Sequence, residues 1–120
     1  MHEVIEIDNL GFGKVRYEEL TLEKMQSAVQ GVIEIVHLPK FGFDMVINEE
    51  GKLNGMGRND FATWLWLCAH GLESSSDVDY IAGPAMLIGE PDSEGNTVGL
   101  TDEQMASVYD FADKIAEGVY

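Results

Sequence analysis

Apolar and polar positions change rhythm several times along this chain, and each change marks an element. "HEVIEI" alternates, with Val4 and His2 on one side and Ile5 and Ile7 on the other, the two-residue period of a strand. "DNLGFG" interrupts it, and "KVRYEEL" is expected to pair back as a hairpin. Thr21 offers a hydroxyl for a helix N-cap ahead of "LEKMQSAVQ"; Leu22, Met25, Ala28 and Val29 give that helix an apolar stripe, and Gly31 is its expected stop. "VIEIVHL" and "FDMVIN" are strand-like runs separated by Pro39 and a turn, a second antiparallel hairpin. Gly51 in "NEEGK" is expected to adopt a left-handed conformation.

From Asp60 the period becomes helical. Phe61, Trp64, Leu65, Cys68 and Leu72 share one face, with Asn59 or Asp60 as the cap. Trp66 and Leu67 fall off that stripe, which means either a helix buried on several sides, the favoured reading, or an exposed patch for a partner. "VDYIAG" and "AMLIGE" read as two late strands broken at Gly83-Pro84. The polar loop "PDSEGNTVG" follows. Thr101 and Gln104 then have the spacing of a capping box before a last helix striped by Met105, Val108, Ala112, Ile115 and Val119. The order β-β-α-β-β-α-β-β-α, with hairpin-length connections, predicts one α+β domain over residues 1–120. Its antiparallel or mixed sheet would carry about three helices on one side.

Charge is the feature that most narrows function. The net charge is −15, and residues 59–120 hold twelve acids against one base, Lys114. Phosphates and anionic membrane surfaces would be repelled, so direct nucleic-acid or membrane binding is disfavoured and a partner with a basic surface is favoured. Plain solubility, or adaptation to salt, is the competing explanation. The start is charged from its third residue and no apolar run reaches membrane-spanning length, so the expectation is a cytoplasmic protein.

Candidate chemistry is thin. The histidines His2, His37 and His70 and the lone Cys68 form no zinc spacing, and Cys68 sits in an apolar run as a small core residue. "DSEGNTVGLTDE" places Asp92, Glu94, Asn96 and Glu103 like calcium-loop ligands, but Thr97 stands where such a loop needs glycine. "GFGKVR" lacks the third glycine of a dinucleotide fingerprint, and no nucleophile elbow is present. No catalytic residue, metal or cofactor is assigned. One segment differs from this background. Asn48, Lys52, Asn54, Arg58 and Asn59 gather amides and scarce bases among glycines, where a polar or anionic ligand could be held, nucleotides included.

"VINEEGKLNGMGRNDFATWL", "DYIAGPAMLIG" and "LTDEQM" together resemble the small proteins catalogued as domain of unknown function 3846. The matched positions are Asn48, Glu49, Gly51, Lys52, Asn54, Asn59 and Gly83. The resemblance implies a habitat in phages, plasmids and their bacterial hosts more than an activity. With the charge, it leads to a non-enzymatic interaction protein that inhibits a host nucleic-acid-handling or defence protein, of anti-CRISPR or anti-restriction type. Its acidic face would comprise Asp77, Asp79, Glu90, Asp92, Glu94, Asp102, Glu103, Asp110 and Asp113 and could mimic nucleic acid. The alternative is a nucleotide- or small-molecule-sequestering protein built on the Asn48–Asn59 segment.

Overall fold

A computed structural model describes residues 1–8, 13–71 and 80–118. Two hairpins and one inserted strand make the sheet. Strands β1 (His2–Ile7) and β2 (Gly13–Glu18) pair antiparallel, as do β3 (Ile33–Leu38) and β4 (Phe43–Asn48). Strand β5 (Ala85–Gly89) enters between them, antiparallel to both β1 and β4, giving the order β2-β1-β5-β4-β3. Helices α1 (Leu22–Val29), α2 (Asp60–Ala69) and α3 (Asp102–Ala116) complete an α+β domain.

The helices cover both faces of the sheet, which corrects the expectation of one covered side. Val4, Val46, Met86 and Ile88 point to one face and pack on Met25 and Val29 of α1. Ile5, Ile7, Phe43, Met45 and Leu87 point to the other and pack on Leu65 of α2 and on Met105, Val108 and Phe111 of α3. Side chains alternate along a strand, so one central strand feeds both cores. All five residues of β5 are accordingly buried. Of the two expected late strands only "AMLIG" is one; in the described part of the other, Ala82 makes an isolated antiparallel bridge with Arg58.

Local signals account for the helix ends. Thr21 accepts from the Lys24 N–H, and Thr101 and Gln104 form the capping box in both directions. The left-handed residue that ends α1 is Gln30 rather than Gly31. Gly31 is small for a different reason: a Cβ there would stand 2.7 Å from the Asn48 side-chain amide. Helix α2 is buried on several sides, with Ala62, Thr63, Leu65, Leu67 and Ala69 inside and the expected stripe residues Phe61, Trp64 and Cys68 only half-buried. Leu67 is core and Trp66 is half-exposed. Leu72 and Val119 lie outside the described residues. Phe111, off the expected α3 stripe, is buried and meets Phe41 and Phe61 edge-on at 5.5 and 5.7 Å.

A second loop is built into the sheet. The Gly89 N–H donates to the Val98 carbonyl, and the Leu100 N–H to the Glu3 carbonyl, so residues 98–100 run between the ends of β1 and β5. A Cβ on Gly89 would meet the Gly99 carbonyl, and one on Gly99 would lie 2.5 Å from the Glu3 carbonyl. Backbone approach this close requires glycine at both positions.

Candidate functional site

The glycine- and asparagine-rich segment is a clamp in which most of its polar groups are already engaged. Asn59 is fully buried at the N-terminus of α2. Its side-chain oxygen accepts from the Ala62 N–H at 3.1 Å, and its amide donates to the Gly83 carbonyl at 3.0 Å and the Ile7 carbonyl at 3.3 Å. Thr63 continues the network, accepting from the Ile81 N–H at 2.9 Å and donating to the Asn59 carbonyl at 2.7 Å. Asn48 donates to the Val29 carbonyl and accepts from the Glu50 N–H, tying the end of α1 to the turn after β4. Asn48 and Asn59, both expected to read a ligand, are thus engaged by backbone groups, Asn59 through three bonds and Asn48 through two.

The glycines serve the same clamp. Gly51 is not left-handed, contrary to expectation; a Cβ there would collide with the Ala82 carbonyl. Gly83 does have a positive φ, +91°, and a Cβ on it would sit 2.7 Å from the Met56 sulfur. The Gly83 N–H donates to the Gly57 carbonyl and the Asn59 N–H to the Ile81 carbonyl, so residues 57–59 and 81–83 are laced together.

Three candidate ligand residues remain exposed: Lys52, Asn54 and Arg58. The Lys52 ammonium lies 4.7 Å from the Tyr80 ring centre. The Arg58 guanidinium lies 5.7 Å from the same ring, and its Nε donates to Asp60 at 2.9 Å. Beside them opens a groove of about 390 Å³ whose floor and walls include Val36, Ile47, Trp66 and Tyr80, with Glu34 and Glu49 among its acids. Only Asn48 and Lys52 of the five expected ligand residues belong to it. The off-stripe position of Trp66 was the sequence signal for this groove. The packing of α2 against β3, beside Glu34 and Val36, was not legible.

The expected acidic residues divide into two groups. Asp77 and Asp79 lie outside the described residues. Asp92 braces its own loop, accepting from the Glu94 and Asn96 N–H groups and the Asn96 amide. The Asn96 N–H is the strongest influence holding its carboxyl below the ordinary aspartate range. Asp102, Glu103, Asp110 and Asp113 are exposed on α3, and Glu117, at the C-cap, joins them. At 100° per residue these five acids occupy about 100° of the helix surface. Lys114 reaches Asp110 at 3.0 Å. Gln104 on α3 donates to the Gly42 carbonyl, and a Cβ on Gly42 would lie 3.6 Å from the Glu90 carboxylate, so exposed Glu90 borders the start of the same helix.

Cys68 is half-buried, and desolvation raises its thiol pKa, the opposite of what an activated nucleophile needs. Among the described residues no three His, Cys, Asp or Glu side chains converge as metal ligands, and no helix is long and apolar enough to cross a membrane.

The chain is a small α+β domain whose five-stranded antiparallel sheet is locked by an asparagine-capped helix. The chain belongs to the family described as Domain of unknown function (DUF3846), whose model matches residues 1–114. No curated protein and no solved structure matches it.

Proposed function

We propose that the protein acts by binding another protein through the acidic outer face of α3, in place of nucleic acid. The observation that carries this reading is where the acids sit. Asp102 and Glu103 lie in the first turn, where carboxylates stabilise a helix. Asp113 and Glu117 lie at the other end, where the helix dipole opposes them, so helix stability does not explain them. Five acids over 15 residue steps span about 22 Å. The four intervals average about 5.6 Å, with about 10 Å between Glu103 and Asp110, and Lys114 pairs with Asp110, so the charge is sparser than both the roughly 3.4 Å per charge of one nucleic-acid strand and the roughly 1.7 Å of a duplex. A charge density below that of a duplex favours a groove that holds a single strand over one that holds a duplex. Tyr109, half-exposed beside the stripe, adds a ring of the kind such grooves stack on.

The mobile-element habitat that the family resemblance implies makes a host nucleic-acid-handling or defence protein the partner we propose, in an anti-CRISPR or anti-restriction role. The test is capture of host proteins by the wild type and by the double variant Asp110→Lys, Asp113→Lys. The expected partner is captured by the wild type alone, is released by a single-stranded oligonucleotide, and is lost at high salt. Capture that the double variant retains, or that the oligonucleotide does not compete, would overturn the reading.

A further inference from the structure

The two edges of the sheet differ. Strand β2 carries Lys14 and Arg16, charges of the kind that discourage a strand from pairing with another chain. Strand β3 reads "IEIVHL", with no lysine, proline or glycine, and among the described residues no strand pairs with its outer side. Its available backbone can be assigned. The Glu49 N–H donates to the Val32 carbonyl, and the register places residue 32 opposite 49. Residues 32, 34, 36 and 38 therefore turn their backbone groups toward β4, and Ile33, Ile35 and His37 turn theirs outward. Ile35 is also 42% exposed.

The groove adjoins this edge, because Glu34 and Val36 of β3 help line it. A chain added along β3 would send alternate side chains to opposite faces, one set onto the groove's side of the sheet. The apolar part is suited to a long aliphatic stem, and Glu34 and Glu49, which outnumber Lys52 in the lining, to a cationic head. Neither carboxylate has an ion pair among the described residues. With a net charge of −15, a second copy of this chain is repelled and a basic segment is attracted.

We propose that the outer edge of β3 and the adjoining groove bind an extended basic segment of a partner protein as a sixth strand, with an arginine or lysine in the groove. This surface is separate from the α3 face. Helix α3 joins the Gly42 end of the β3–β4 hairpin, and the groove runs from Val36, opposite Met45, to the Asn48 end, so its near edge lies about 10 Å along the strand from Gly42.

The probe is a nine-residue peptide alternating arginine and valine, compared with the same peptide N-methylated at alternate residues, which keeps the charge and removes the strand donors. The unmethylated peptide is expected to bind at least about tenfold more tightly. Glu34→Lys should weaken it about fivefold. Ile35→Pro should abolish the difference between the peptides while leaving the fold intact by circular dichroism, since that N–H faces away from β4. The α3 variant Asp110→Lys, Asp113→Lys should retain the preference. Equal binding of both peptides, or amide chemical-shift changes on α3 and none on β3, would overturn the proposal.

Discussion

Gly51 and Asn59 show how much a single residue can carry here. Gly51 faces the Ala82 carbonyl, so even one methyl group must displace backbone. Gly51→Ala should destabilise by about 2 kcal/mol or more. At Gly55, whose φ is +70° and whose surroundings are open, asparagine should cost under about 1 kcal/mol. Paired thermal melts check the contrast, and equal losses would return conformation, rather than contact, as the reason for Gly51. Asn59→Ala removes a helix cap and leaves the Ile7 and Gly83 carbonyls short of a buried donor. The expected loss is about 3 kcal/mol or more, read by urea unfolding. Both residues stand out in sequence as turn and cap formers. Asn59 as a cap was legible, because the bond reaches only to Ala62. The contacts to Ala82, Ile7 and Gly83 were not, because no local pattern names a partner that far along the chain.

At the scale of elements, the ends of α3 and the β3–β4 hairpin each make a prediction. Neutralising Asp113 and Glu117 to Asn and Gln should stabilise the fold by about 0.3–1 kcal/mol in total, and Asp102→Asn should destabilise it by a similar amount. Opposite signs in the melting temperatures would show that the C-terminal acids serve something other than stability. In the hairpin, His37 Nδ1 lies 2.8 Å from Asp44, directly across the strands. Asp44 is buried, and its other oxygen has no hydrogen-bond partner among the described residues. The bond to Asp44, then its charge, raises the His37 pKa above 6.5, and Glu90 adds to the rise. A raised histidine pKa stabilises the fold fully below the unfolded value near 6.5 and loses that contribution as pH rises through the folded value. The ring is three-quarters exposed, so solvent weakens the effect. Titration by NMR should place His37 above 6.5, and Asp44→Asn should bring it back down. An unchanged titration in that variant would remove Asp44 as the cause.

For the whole molecule the governing quantity is charge. A net −15 on a compact chain repels itself, and unfolding relieves part of that repulsion. Raising potassium chloride from about 0.01 M to about 0.3 M shortens the screening length from about 30 Å to under 10 Å. The melting temperature should rise across that range, and rise less when the α3 acids are neutralised. A flat salt response would show that the acids are too far apart to matter to the fold.

The sequence by itself determined what depends on near neighbours. The strand and helix periods, the two hairpins, the Thr21 cap and the Thr101–Gln104 box all arise within a few residues of chain, where side chain and backbone cannot avoid meeting. It also carried one signal with a longer reach, since "AMLIG" is apolar without alternation, as a strand covered on both faces must be. Tertiary structure alone decided that β5 lies between the two hairpins, that α1 takes one face and α2 and α3 the other, and that Trp66 and Tyr80 wall a groove beside β3. Those outcomes follow from which apolar faces bury one another most completely, and an amphipathic stripe records that a residue is buried without recording against what.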